Sequence, residues 1–148
     1  MHADTFDTPE AAALDGFPDA HRRVAAALVS GDDAYVLLDT GKPGYPYLYG
    51  SCVAREDGGW REGTSSNGPG WTHTGSQDDE LGTLVDWDAA PEGADQVRVS
   101  FGGETRIVPV TNGVYLVAWW RVRCPELTYP RVEAFHIQGR WIPAVDGR

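Results

Sequence analysis

From Ala34 onward the chain breaks into short apolar stretches separated by glycine-containing turns. This punctuation constrains the fold more than any other feature. Strands of five or six residues joined by tight turns build antiparallel sheets. Tyr35-Val36-Leu37-Leu38 reads as a buried strand and Tyr47 to Arg55 as the next, while Glu56-Asp57-Gly58-Gly59 reads as a hairpin loop into Trp60-Arg61-Glu62. Later runs repeat the pattern: Leu81 to Trp87, Gln96 to Phe101, Thr105 to Val110, Val114 to Val122, Val132 to Ile137 and Trp141-Ile142. In Gln96 to Phe101, Val97, Val99 and Phe101 alternate with polar residues, the period of a half-buried strand.

Helical signals are confined to the N-terminal part. Thr8 is a good N-cap and Pro9 suits the first helical position, predicting a helix from Pro9 to Asp15 that stops at Gly16. Asp19 can cap a second helix through Val29, because Ala20, Val24, Ala27 and Leu28 recur at helical spacing. The expected fold is α+β: one or two N-terminal helices followed by about eight antiparallel strands in a sandwich or curved sheet. It forms a single domain over 1–148, with a helical part at 9–30, a β part at 34–145 and a flexible loop at 63–80. Residues 34–63 are expected to pair with or extend the 81–145 part. The expected core holds Val24, Leu28, Val36, Leu38, Val53, Leu84, Val97, Val99, Val108, Leu116, Ala118, Val132, Phe135 and Ile137.

The order of signals from Leu81 to Pro143 is strand, Ala90-Pro91-Glu92-Gly93-Ala94, alternating strand, Gly-Gly, strand, Asn112-Gly113 and apolar strand. That order resembles immunoglobulin-like β-sandwich segments of bacterial proteins. It is a resemblance of turns and implies a sandwich. The Cys…Trp…Cys spacing of true immunoglobulin domains is missing, and no functional residue is carried over.

Charge excludes several functions. The chain holds 22 acidic and 12 basic side chains, a net charge of −10. Residues 1–80 hold 14 acids against 5 bases, and residues 81–148 hold 8 against 7. Such an excess disfavours nucleic acid and anionic membrane surfaces as partners. The longest apolar run, Val114 to Trp120, falls short of the roughly 18 residues of a membrane span. The acidic start, Met1 to Glu10, has no basic-then-apolar export pattern, which gives a cytoplasmic expectation.

Catalytic and cofactor signals are weak. No phosphate-binding glycine loop or nucleophile elbow is present. Cys52 and Cys124 read as buried thiols or a single bridge, and no spacing couples Cys52 to His73 or His136. His73 with Asp78, Asp79 and Glu80 has metal-capable types, yet consecutive acids do not make a calcium loop, so no metal and no cofactor are expected. Asp86 and Asp88 flank Trp87 and share one face of a strand, a pattern assigned here to the exposed edge of a sandwich over a glycan cleft.

Aromatic residues carry the functional reading. Tyr45, Tyr47 and Tyr49 repeat at period two, and Trp60 and Trp71 add ring area beside His73, Asp78 and Asp79. These eight are the candidate binding residues. The sequence therefore points to a non-enzymatic, acidic binding module. Charge would draw in a basic protein partner and a few rings would hold it, as in inhibitor or immunity proteins. The alternative is a small-molecule binding or resistance protein, with an aromatic-lined pocket between helix and sheet and loop 63–80 as its lid. The oligomeric state is open at this level.

Overall fold

The computed structural model describes residues 5–15, 23–39, 48–56, 58–66, 70–73, 81–123 and 128–144, with the backbone alone at 48, 49, 56 and 64–66. Its elements are α1 (Pro9–Asp15), β1 (Arg23–Ser30), β2 (Asp33–Asp39), β3 (Leu48–Glu56), β4 (Gly59–Ser66), β5 (Gly70–His73), β6 (Leu81–Ala89), β7 (Ala94–Phe101), β8 (Glu104–Pro109), β9 (Val114–Arg123), β10 (Arg131–Ile137) and β11 (Arg140–Pro143). The α+β expectation is overturned. Strands make up 73% of the structure, in three antiparallel sheets, beside one short helix. The chain divides into two compact units, Met1–Gly68 and Pro69–Arg148.

In the first unit, β2, β3 and β4 form a sheet with β1, in the order β1-β2-β3-β4. Thr8 starts α1 as the sequence suggests: its Oγ1 accepts the Ala11 N–H at 3.1 Å. Ala12 and Ala13 then pack on Ala34, Val36, Leu38, Val53 and Trp60 of the sheet. Small residues on the helix let its backbone approach the sheet closely. Phe6 pairs with Trp60 through reciprocal backbone hydrogen bonds of 2.9 and 2.8 Å, which ties the segment before α1 to edge strand β4.

The second expected helix is a strand over its described part. Arg23–Ser30 pairs with β2 along its length, with an irregularity between Val24 and Ala26. The extra residue there changes the same-face spacing from two to three, so Val24 and Ala27 both pack toward α1. A bulge thus imitates helical spacing. Alanine's helix propensity loses to the need of β2 for a hydrogen-bonded neighbour, because six consecutive residues of β2, Ala34 to Asp39, are buried.

Gly50 in β3 lies against the buried Tyr35 ring. A Cβ at this position would stand 1.9 Å from the Tyr35 Oη and 2.6 Å from its Cζ. Gly50→Ala is therefore expected to destabilise the chain by about 1–3 kcal/mol, since overpacking outweighs the better strand propensity of alanine. Urea denaturation of the variant measures it.

The second unit is a sandwich of two sheets, ordered β5-β6-β9 and β11-β10-β7-β8. Leu84, Tyr115, Val117 and Trp119 of the first sheet meet Val97, Val99 and Val132 of the second in one core. The opposite face of β6 and β9 is apolar and buried as well, with Val85, Trp87, Leu116 and Ala118. Of the expected core residues, nine are buried across the two units, whereas Val24, Leu28, Val108, Phe135 and Ile137 are half-buried. Two-residue turns at Gly102-Gly103 and Gln138-Gly139 have positive φ at both positions, the geometry whose twist matches the flanking strands. The loop expected over 63–80 is partly ordered: β4 runs to Ser66 and β5 lies within it, while 67–69 and 74–80 are outside the described residues.

A polar clip joins the two sheets at the edge where β8 faces β9. The Arg106 guanidinium lies 4.9 Å from the Trp119 ring centroid and donates to Glu104 at 3.2 and 3.3 Å. Arg106 also donates to the Ala118 carbonyl, and the Trp119 indole N–H donates to Glu104 at 3.2 Å. The hydrogen bond from Arg106 chiefly holds the Glu104 carboxyl below the ordinary value of 4.5, aided by the arginine's charge and the indole and opposed by desolvation. A depressed carboxyl stabilises the fold above its unfolded value and loses that contribution as pH falls through its folded value. Glu104→Gln should thus melt at a lower temperature than the parent at neutral pH, with the gap closing on acidification below 4.5. Thermal melts across a pH series show it.

Candidate functional site

Strand β5 carries the exposed chemistry of the second unit. It is a four-residue edge strand paired with β6 in the register Gly70↔Trp87, Trp71↔Asp86, Thr72↔Val85 and His73↔Leu84. Directly paired residues share a face, so Trp71 and His73 stand on the same side as Leu84 and Asp86. The Trp71 ring stacks on Tyr129, which precedes β10, with centroids 5.0 Å apart and planes 19° from parallel. Both rings remain open to solvent, at 39% and 48% exposure. Stacking fixes two large rings at little entropic cost, and partly exposed aromatic rings can attract cations.

Asp86 lies beside this pair in the ladder and is only 5% exposed. Its reading as an exposed edge carboxylate is corrected, because β6 is the central strand between β5 and β9. Asp88 is half-buried and pairs with Tyr115. His73 reaches past β6, its Nε2–H donating to the Val122 carbonyl at 2.7 Å. That carbonyl sits beside a β-bulge. Leu84 pairs with Trp119 and Gly82 with Val122, so β9 has one more residue here than β6, and Arg121 adopts φ +54°. A non-glycine residue in that region stores strain of order 1 kcal/mol or more. The bulge also accounts for two adjacent tryptophans in one strand: Trp119 fills the core and Trp120 is half-buried.

The structure distributes the sequence candidates unevenly. Trp71 and His73 come together on β5. Trp60 is buried in the core of the first unit, under the Arg55 guanidinium at 4.7 Å. Tyr49 belongs to β3, opposite Leu38, and its side chain is not described. Tyr45, Tyr47, Asp78 and Asp79 lie outside the described residues, as does Cys124. Cys52 is half-buried on β3, paired with Tyr35. Among the described residues, no group of three or more His, Cys, Asp or Glu could hold a metal ion. No helix among them is long and apolar enough to cross a membrane. Sequence reasoning missed Tyr129 as the partner of Trp71. Its only signal is a large aromatic between two prolines, Pro125 and Pro130.

Compared with known proteins, the chain matches no family model, no curated protein and no solved structure.

If the stacking is energetic, Trp71→Ala and Tyr129→Ala should be non-additive. A double-mutant cycle in urea should give a coupling of about 0.5–1.5 kcal/mol, and strict additivity would refute the contact.

Proposed function

We propose that this chain is a non-enzymatic binding module for a basic protein partner, of the inhibitor or immunity kind. The observation that carries this reading is the partly exposed stack of Trp71, which pairs with Asp86, on Tyr129. Rings of this kind anchor interfaces and accept arginine or lysine over their faces. The net charge of −10 supplies attraction at long range and favours a basic partner over an acidic one. An immunoglobulin-like sandwich over residues 81–143 belongs to this reading, with β5 before it completing the first sheet. The first, second and fifth strands of the unit share one sheet, with the third, fourth, sixth and seventh in the other, an arrangement close to that of immunoglobulin sandwiches. The fold itself assigns no function.

The test is capture from native lysate by the tagged chain and by its Trp71→Ala variant, at low and high salt. The expected result is a basic protein held at low salt and released at high salt. The variant should bind it at least about tenfold more weakly. Capture unaffected by the variant would sink the reading, and a retained small molecule would favour an aromatic pocket instead.

A further inference from the structure

The outer face of the β11-β10-β7-β8 sheet carries arginines in a chain that is acidic as a whole. Register places Arg98 of β7 between Ile107 of β8 and Ala134 of β10, and pairs His136 of β10 with Gln96 and Trp141. Arg131 pairs with Ser100 on the same face. Two arginines and a histidine stand there, with Glu133 against Arg131 and Asp95 against His136.

Nearby acids are already engaged. Asp95 Oδ1 lies 2.7 Å from His136 Nδ1, and Glu133 lies 4.0 Å from the Arg131 guanidinium. Arg98 is different. Its guanidinium lies over the Trp141 ring, 4.9 Å from the centroid, and no acceptor among the described residues takes a hydrogen bond from it. Trp141 is itself braced by the His136 ring at 5.0 Å. Stacking therefore orients a planar donor fork whose N–H groups meet no acceptor among the described residues. That geometry suits two-pronged recognition of a carboxylate. Ile107, 54% exposed beside Arg98, adds an apolar contact.

We propose that this face docks an acidic segment of a partner protein, one of whose carboxylates takes the Arg98 fork while an apolar neighbour covers Ile107. The Arg98 fork, the one arginine of the face without a carboxylate among the described residues, selects the occupant. A nucleic acid presents dense phosphate and needs many cations along its track, whereas this face offers two arginines within a chain of net charge −10. A peptide with spaced carboxylates asks for one fork and a flat apolar border. The site is independent of the Trp71–Tyr129 stack.

The experiment uses the full chain, isotope-labelled, titrated with a short synthetic peptide of repeating Glu-Leu-Gly and followed by two-dimensional NMR. Expected are shifts confined to β7, β8, β10 and β11, including the Trp141 indole N–H. Arg98→Gln, judged folded from its own spectrum, should weaken binding about tenfold or more. Arg131→Gln, at the exposed rim, should change it less than about fivefold. An Arg98→Lys variant retains the charge but not the fork, and should bind clearly more weakly than the parent. The proposal is overturned if the peptide leaves this face unshifted or the Arg98 variants bind like the parent. It is overturned equally if a Lys-Leu-Gly peptide or an oligothymidylate binds the face as tightly.

Discussion

The second unit depends on the burial of Trp119, Tyr115, Val117 and Leu84 against Val97, Val99 and Val132. Side chains of this size removed from water stabilise by about 1.5–3 kcal/mol each, so this contact dominates everything at the periphery. Once the two sheets face each other, their edges are positioned too. At one edge Arg106 and Glu104 close over Trp119, and at strand β5 the Trp71 ring meets Tyr129. The outer sheet face then presents Arg98 over Trp141. The first unit follows the same logic with a helix: α1 substitutes for a second sheet over Val36, Leu38 and Val53.

Much of this architecture was legible in the chain. Alternation in Gln96–Phe101 and turn pairs such as Gly102-Gly103 located strands directly, because side-chain direction and positive φ are local properties. Bulges were not legible. The irregularities at Val24/Ala26 and at Trp120-Arg121 each insert one residue, and each disrupts the period on which sequence reading relies. In β1 the disruption mimicked a helix and led to the wrong fold class. The site was half legible for a related reason. Trp71 and His73 could be named from residue type, but their pairing with Asp86 and Leu84 is a matter of register, and the stack on Tyr129 joins segments distant in sequence.

Electrostatics acts here on two scales. The net charge of −10 describes the far field that an approaching molecule meets first. Close contact depends on particular groups: the stack of Trp71 from β5 on Tyr129 from the segment before β10, and the arginine fork of a separate sheet face. A module with both surfaces could hold a basic and an acidic partner together, which neither surface alone would do.

The sheet margins of the second unit have a further consequence, for the company the protein keeps with itself. Unpaired strand edges are templates for accretion of other chains. Here β5 and β11 are four residues each, and β8 ends at Pro109, which has no amide hydrogen to offer. The remaining margin, β9, is ten residues long and would be the exposed liability. Its bulge breaks the straight run of donors and acceptors, and Arg121 and Arg123 place solvent-facing charge along it. The same irregularity that frees a carbonyl for His73 therefore also helps keep a strand-rich chain from fibrillar self-association.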